Sequence, residues 1–323
     1  MSSRPLDLPW CDYPSAKDAR WHGLLPLPER LPTLDLAAVR PYRSQRCRIS
    51  SLADLEPGQV LSTAEEVAWS FARRQPMVRH IRPPATPPDG LAELLHKDPF
   101  GVHEFGPWSR ENISYWFVRL FVLTDPTSAA SEISINKDAL DHSLAVLTPS
   151  NEVVGGAFNE TMPAGDAEHH MREDDPFLRA VLSFGQPILN FLHAQEEQAL
   201  SSLSHRYPDF KTALADGKVG HHNMVARSDD LAKEDTFELV AATVEHFAQA
   251  GYRYICVEAV NQWTGAALEL LGGVRVHYSS FLANADICKS QVPLPDLVTS
   301  PNGFISDKDS GSMFYVLALG NTD

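Results

Sequence analysis

The chain has 323 residues, of which 43% are hydrophobic and 21% are charged, and its formal net charge at pH 7 is −15. This length allows a substantial core in one large domain or two small ones. The acidic balance argues against general nucleic-acid binding, which uses a basic surface. An acidic surface attracts cationic amines, although it is also a common solubility feature.

Cysteine spacing and the distribution of apolar residues bear on the compartment. Cys11, Cys47, Cys256 and Cys288 lie far apart and form no CxxC pair, so neither a zinc site nor a disulfide framework is predicted. No apolar run approaches the roughly 18 residues of a membrane span. The first residues lack the apolar segment of a secretory signal. We therefore expect a cytoplasmic protein that binds no metal and no membrane.

The first 44 residues form a proline-rich segment that also contains Trp10 and Trp21. Proline excludes a long helix or a central strand here. The aromatic residues favour an arm that packs on the domain over a free tail. Residues 45–323 are predicted to be a single domain, with insertions at about 82–140 and 160–218.

The first half of that domain predicts strands and helices in alternation. Ser62 and Thr63 are placed to cap a helix, with a glutamate three residues after each, and Pro76 ends or kinks it. Other elements follow from apolar and β-branched patterns. They are a strand at 45–51, a short helix at 91–96, a strand at 114–124 and a hairpin of 142–147 with 152–159.

The second half begins with a helix that starts at Pro176 and continues to Leu192, with Pro187 as a possible bend. A polar, irregular stretch is predicted for 196–220. The segment 219–281 then predicts a strand, a charged loop, a helix, a strand, a short helix and a strand. A last strand is predicted at 313–319.

Three motifs carry a resemblance to a known family. They are Asn261-Gln-Trp-Thr-Gly-Ala-Ala-Leu-Glu-Leu-Leu-Gly-Gly273, Leu144-Ala-Val-Leu-Thr-Pro-Ser-Asn-Glu-Val-Val-Gly-Gly-Ala157 and Ala64-Glu-Glu-Val-Ala-Trp-Ser-Phe-Ala-Arg-Arg-Gln-Pro-Met77. In this arrangement they resemble the Gcn5-related N-acetyltransferase superfamily, and the third resembles its arylalkylamine and dopamine N-acetyltransferase branch. The resemblance implies an α/β (α+β) fold with a mixed, mostly antiparallel central sheet flanked by helices.

The resemblance also implies a bound acyl thioester, acetyl-CoA or another acyl-CoA. The strand Met224-Val225-Ala226 would splay from its neighbour at 255–257 and pair with the pantetheine arm as with an added strand. A backbone N–H there would polarise the thioester carbonyl. The pyrophosphate would rest on the segment that begins at Arg227 and ends at Thr236. Family members use the position of Asn261 near the cofactor.

The phosphate loop departs from the family pattern, which is rich in glycine. The aligned run is Leu231-Ala232-Lys233-Glu234-Asp235-Thr236, preceded by Asp229-Asp230. Without the glycines the backbone approaches a phosphate less closely. Four carboxylates oppose pyrophosphate binding, and Lys233 and Arg227 compensate in part. This degenerate loop is compatible with weak cofactor binding, with a different donor and with lost catalysis.

The chemistry needs a base for the ammonium and an acid for the leaving thiolate. His222 resembles a catalytic histidine on the same strand of arylalkylamine N-acetyltransferases; a packed or surface histidine is the alternative. Glu160 is a candidate that would act through a water, or a solvated strand-end carboxylate. Tyr278 is the candidate acid, since Leu268 holds the usual tyrosine position; the alternative is packing. Glu258 is either functional or paired with an arginine, and we expect the pairing.

These residues predict an acyl-CoA-dependent N-acyltransferase that moves acetyl or a small acyl group to a primary amine by direct attack in a ternary complex. The small-molecule amine is expected to enter between residues 62–97 and the 160–218 insertion. Two alternatives stay open. One is a catalytically inactive protein of this fold that acts in binding or interaction, and the other is an acyltransferase with a non-CoA thioester donor.

Overall fold

The computed structural model describes residues 23–35, 47–74, 137–163, 176–227, 233–260, 262–280 and 311–320, with the backbone alone at 72–74, 176–190, 227, 233, 234 and 262. The strands are β1 (Gly23–Leu24), β2 (Thr33–Leu34), β3 (Arg48–Ser51), β4 (Leu144–Leu147), β5 (Val153–Thr161), β6 (Val219–Arg227), β7 (Tyr254–Ala259), β8 (Val274–Ser280) and β9 (Gly311–Leu319). The helices are α1 (Pro57–Arg74), α2 (Lys137–His142), α3 (Pro176–Arg206), α4 (Pro208–Ala215), α5 (Lys233–Gln249) and α6 (Gln262–Leu270).

The strands form one mixed sheet in the order β1-β8-β9-β7-β6-β5-β4-β3, and β2 pairs with β9 beside this path. Neighbouring strands run antiparallel except in two pairs, β6 with β7 and β2 with β9. The predicted mixed, mostly antiparallel sheet flanked by helices is confirmed.

Helices cover both faces of the sheet. On one face, Phe237 and Val240 of α5 belong to the same core cluster as Val257 of β7, and we call this the α5 face. On the other, Leu203 of α3 shares a cluster with Cys256 of β7, and we call this the α3 face. The predicted site lies in the middle of the sheet, where β6 and β7 meet between these two layers.

The β4–β5 hairpin has the predicted kind of turn. Asn151 adopts a positive φ of 65°, which asparagine tolerates better than most residues. The Thr148 N–H donates to the carbonyl oxygen of Glu152 at 2.9 Å, and the Glu152 N–H donates to Thr148 Oγ1 at 3.0 Å. These bonds fix the register that brings Leu144 opposite Ala157.

Part of the proline-rich arm lies against the sheet. Gly23 and Leu24 pair with Tyr278 and His277 of β8, and Thr33–Leu34 pairs with the end of β9. The Tyr207 hydroxyl donates to the carbonyl oxygen of Pro28 at 2.6 Å.

Helix α1 begins before the predicted cap. Pro57 is its first residue, a position at which the missing N–H of proline needs no partner. The hydroxyls of Ser62 and Thr63 donate to the carbonyl oxygens of Gly58 and Gln59 at 3.0 and 2.8 Å. They therefore lie inside the helix and do not cap it.

Helix α3 is longer than predicted. It runs for 31 residues through Pro187 to Arg206, and α4 follows in the stretch expected to be irregular. Beyond Pro187, its most buried side chains are Phe191, Gln195, Ala199 and Leu203, one for each helical turn. So narrow a stripe, with a glutamine in it, lacks the wide apolar face by which helices are recognised in a sequence.

Some predictions concern residues outside the described part of the chain. These are the short helix at 91–96, the strand at 114–124, the loop at 228–232 and Asn261. Among the helices that are described, none combines the length and apolarity needed to cross a membrane.

Candidate active site

The parallel ladder between β6 and β7 stops partway along both strands. It pairs Val219 with Tyr254 at one end and His222 with Val257 at the other. Strand β6 continues to Arg227 while it pairs with β5, and β7 continues while it pairs with β9. The two neighbouring strands therefore separate beyond His222. We call the gap between residues 223–227 and the end of β7 the wedge.

A β-bulge lies where the wedge opens. Phe158 of β5 is opposite Met224, but the next residue, Asn159, is opposite His222, so Asn223 is an extra residue in β6. A bulge bends its strand and increases the local twist. The bulge thus gives a physical reason for the divergence of β6 from β7.

The backbone of β6 along the wedge has no strand partner on its β7 side among the described residues. The side chains are held in place from both faces. Met224 and Ala226 pack with the α1 cluster, and Val225 packs with the α5 cluster. A rigid edge with unpaired backbone groups is suited to binding an extended chain as an added strand.

The residues predicted to hold a pyrophosphate are described only in part. Arg227 ends β6, and Lys233 and Glu234 begin α5. Asp235 is buried, and the Thr236 Oγ1 atom is buried without a hydrogen-bond partner in the described structure. Since 228–232 and Asn261 are not described, the pyrophosphate contacts and the degenerate loop stay predictions.

His222 is 2% exposed, and its Nδ1 lies 2.6 Å from Asn159 Oδ1. The Asn159 Nδ2 donates to the carbonyl oxygen of His142 at 2.8 Å, which orients its Oδ1 as an acceptor for the imidazole. Nδ1 therefore carries the proton, and Nε2 keeps a lone pair that is buried without a partner in the described structure. Burial, with a smaller contribution from His221, lowers the pKa of His222 to about 3. His222 is thus neutral at physiological pH.

His221 faces the opposite side of the sheet. Its Nδ1 lies 3.4 Å from Glu160 Oε1, and the Asn223 Nδ2 donates to that same oxygen at 3.2 Å. Burial alone would lower the pKa of His221, but Glu160, Glu196 and Glu258 raise it to about 9. The structure therefore brings Glu160 to His221 and not to the predicted His222.

Glu258 extends the His221 cluster onto β7. It is the first residue after Val257, the last β7 residue in the β6 ladder, and its Oε1 is buried without a partner in the described structure. Burial and the charge of Glu196 raise the pKa of Glu258 to about 8, although His221 lowers it. Within the described ranges, the charged groups that act on Glu258 are Glu196 and His221, and the expected pairing with an arginine stays a prediction.

Two further buried polar side chains lie on the α3 face. The Gln195 Nε2 donates to the carbonyl oxygen of Ser312 at 3.1 Å. Gln195 Oε1 and Ser312 Oγ are both buried without a partner in the described structure. Each such atom costs roughly 1–3 kcal/mol of folding free energy, which a bound ligand or water would offset. Across the described residues, no three metal-ligating side chains are grouped to hold an ion.

Tyr278 lies away from these groups. It is 1% exposed in the α5-face core, and β9 and β7 separate its strand from β6. A Cβ on Gly311 would lie 2.6 Å from its hydroxyl oxygen, which shows how tightly the ring is packed. Its role as the acid for the thiolate stays a prediction.

The sequence analysis missed His221 and Glu196. Strict alternation along β6 puts His222 on the same face as Met224. The bulge at Asn223 reverses this, so His221 shares the face of Met224. The adjacent pair His221-His222 was the available signal, because two histidines in succession on one strand place one on each face.

Comparisons with known proteins find solved structures of low similarity. No protein-family model matches the sequence, and no curated protein matches it. A solved C-terminal condensation domain of Ebony, in complex with beta-alanyl-dopamine, is 9% identical, covers 85% of this chain and 99% of its own, and has a TM-score of 0.48. A putative arylalkylamine N-acetyltransferase 7 from the mosquito Aedes aegypti is 13% identical. It covers 93% of this chain and 94% of its own, with a TM-score of 0.45. A polyamine N-acetyltransferase from Drosophila melanogaster is 9% identical. It covers 84% of this chain and 100% of its own, with a TM-score of 0.43.

These values are too low to assign a substrate or a donor. The sheet of this chain carries the fold assignment by itself, through its strand order and its single divergent parallel pair in the centre. The chain has the Gcn5-related acetyltransferase-like fold that its sequence predicts.

Proposed function

We propose that this protein is an N-acyltransferase that transfers acetyl or another small acyl group from an acyl-CoA to a primary amine. The observation that supports this proposal most is the wedge. It leaves backbone groups of 223–227 available in the centre of the sheet, where a pantetheine arm would bind between β6 and β7 as a short added strand. Acetyl-CoA is the proposed donor.

In the proposed reaction, the amine nitrogen forms a bond to the thioester carbonyl carbon. A backbone N–H of β6 stabilises the oxyanion of the tetrahedral intermediate. The nitrogen then loses a proton, the carbon–sulfur bond breaks, and the thiolate takes up a proton, so that the products are the amide and the free thiol. The amine attacks only after it has lost its ammonium proton to a base.

One histidine stands on each face of the wedge as a possible base. His222, the predicted base, is neutral and has a free lone pair on Nε2, but its low pKa makes it a weak proton acceptor. His221 on the α3 face is coupled to Glu160 and Glu258, which can take up and share a proton. The face from which the amine enters decides between the two.

Thermal denaturation with increasing acetyl-CoA tests the proposed donor. Binding to the folded protein stabilises it by RT ln(1 + [L]/Kd), or about 2.7 kcal/mol at a hundredfold excess over Kd. We expect a saturable shift at micromolar acetyl-CoA. A shift with acetyl-pantetheine alone would indicate a non-CoA donor, and no shift with millimolar amounts of either compound would indicate a binding protein without transferase activity.

A further inference from the structure

A group of polar side chains lies on the α3 face beside the wedge, outside the pantetheine path. It consists of Gln195 and Glu196 on α3, His221 on β6, Glu258 on β7 and Ser312 on β9. We call these five residues the α3 chamber. The thioester contacts proposed above use only the backbone of β6, and they do not say which ligand these side chains would bind.

The register of the sheet places the chamber residues together. His221 is directly opposite Cys256, and Glu258 follows on the same face because side chains alternate along a strand. Glu258 thus lies diagonally across from His221, just beyond the last pair of the β6–β7 ladder. Both residues and Glu196 influence one another electrostatically.

The other end of the chamber is fixed through β9. Glu258 is opposite Phe314, and Ser312 lies on the same face as Phe314, one alternation further along β9. Diagonal neighbours of this kind are about 7–8 Å apart. The bond from Gln195 to the Ser312 carbonyl then places Gln195 at this end, next to Glu196 in the chain.

Four polar atoms of the chamber are buried without a partner among the described residues: His221 Nε2, Glu258 Oε1, Gln195 Oε1 and Ser312 Oγ. His221 is 7% exposed, Gln195 is 1% exposed and Ser312 is 0% exposed. Buried polar groups in folded proteins are almost always hydrogen-bonded. Four orphan atoms along one stretch of the α3 face therefore point to a polar partner for them.

The chemistry of the chamber differs between its ends. At one end Glu160, Glu196 and Glu258 surround His221, which is an excess of carboxylates and favours a cation. At the other end, the Gln195 oxygen accepts a hydrogen bond and the Ser312 hydroxyl donates or accepts one. A cation with a hydrogen-bonding group at its far end would satisfy both.

We propose that the α3 chamber binds the acceptor of the reaction, and that this acceptor is a small primary amine with a second hydrogen-bonding group, such as a hydroxyl. The ammonium would lie between Glu258 and Glu196, and the hydroxyl would bond Ser312 and Gln195. The inference rests on the proposed function only for calling this ligand the acceptor. Binding itself requires no thioester.

Isothermal titration of the full chain with matched amines tests the site without a donor. Ethanolamine and propylamine have the same number of heavy atoms and differ in one hydroxyl, as do 3-aminopropanol and butylamine. We expect at least one amino alcohol to bind about two- to tenfold more tightly than its alkyl match, the range of one neutral hydrogen bond. Equal affinities within both pairs would overturn the proposed second group.

Substitutions of chamber residues test whether the amines bind there. We expect Glu258→Gln and Glu196→Gln each to weaken amino-alcohol binding about tenfold or more. An ammonium next to Glu258 would favour its ionised form, and each substitution then removes a charge-assisted bond to the ammonium. Glu197→Gln is the control, since it makes the same change on the exposed side of α3. If Glu258→Gln unfolds the protein, the affinity of Glu196→Gln compared with that of Glu197→Gln tests the site. Unchanged affinity in the folded chamber variants would overturn the site.

Ser312→Ala tests the far end. Its hydroxyl has no partner in the described structure, so we expect the variant to fold with unchanged or higher stability. The affinity ratio between 3-aminopropanol and butylamine should fall about two- to tenfold. A ratio unaltered by Ser312→Ala would contradict the proposed contact.

Separate measurements distinguish the two proposals. Amine binding without acetyl transfer from acetyl-CoA would leave the chamber as a binding site and refute the transferase. Acetyl transfer to amines with unaltered affinity in Glu258→Gln and Glu196→Gln would keep the transferase and refute the chamber.

Discussion

At the scale of single residues, the two adjacent histidines of β6 have opposite environments. His222 is held neutral by Asn159 and by burial, whereas His221 is held protonated by carboxylates. Their side chains point to different layers because successive residues of a strand alternate. Neighbours in the sequence therefore serve different parts of the site.

Paired alanine variants show which histidine takes part in the reaction. If the amine enters from the α3 face, we expect His221→Ala to lower kcat about 100-fold or more at pH 9 and above, where His221 has lost its proton and can act as a general base. The Kd for acetyl-CoA should stay unchanged, because neither imidazole lies on the backbone edge of the wedge. Steady-state kinetics of acyl transfer measures kcat, and equilibrium binding measures the Kd for acetyl-CoA.

His222→Ala is the comparison for this experiment. A large loss of kcat in His222→Ala, with full activity in His221→Ala, would support the predicted base and entry from the α5 face. Asn159→Leu then separates chemistry from packing. It removes the acceptor that fixes the tautomer of His222, so a catalytic His222 would lose activity in this variant as well.

At the scale of secondary-structure elements, the start of α5 is where the pyrophosphate of the proposed donor would bind. A helix N-terminus favours anions, but Glu234 and Asp235 place carboxylates in its first turn. We expect Glu234→Lys to tighten acetyl-CoA binding about three- to tenfold, because it replaces a carboxylate that repels the phosphates with an ammonium that attracts them, and one ion pair contributes about 0.2–1 kcal/mol.

Acetyl-pantetheine is the control donor for Glu234→Lys, because it lacks the nucleotide and the pyrophosphate. Its affinity should be the same in the wild type and the variant. Equal tightening for both donors would mean that the substitution acts on the wedge and not on a phosphate. Increasing salt should reduce the gain for acetyl-CoA, since salt screens the attraction between the introduced ammonium and the phosphates.

The elements also show what the sequence can predict. The sequence predicts the hairpin from Leu144 to Ala157 and the strand–helix–strand unit that follows Val219. In both segments the apolar residues recur regularly and typical turn residues mark the ends. The bulge at Asn223 was not predicted, since one extra residue leaves no compositional trace and depends on the pairing of β5 with β6. The face on which each histidine lies therefore follows from the pairing of the strands and not from the sequence.

At the scale of the whole molecule, the protonation of the site is linked to folding. Glu258 keeps its proton to about pH 8 in the folded chain and His221 to about pH 9. Their unfolded values are 4.5 and 6.5, so between pH 6.5 and 8 the folded protein binds more protons than the unfolded one. Stability then falls as pH rises. His222 has the opposite sign, since its lowered pKa removes stability only as the pH falls below 6.5.

Stability should therefore decline between pH 6.5 and 8.5, by about 1 kcal/mol per pH unit or more, since one proton corresponds to 1.36 kcal/mol per unit. Urea unfolding at several pH values measures this slope. Glu258→Gln should flatten it because glutamine does not titrate, and Glu197→Gln should leave it intact. A midpoint that is constant or rises over this range would show that the folded protein does not hold these protons. The cluster around His221 would then have to be hydrated and open in solution, and could not be the closed, acidic environment from which we infer a cationic ligand.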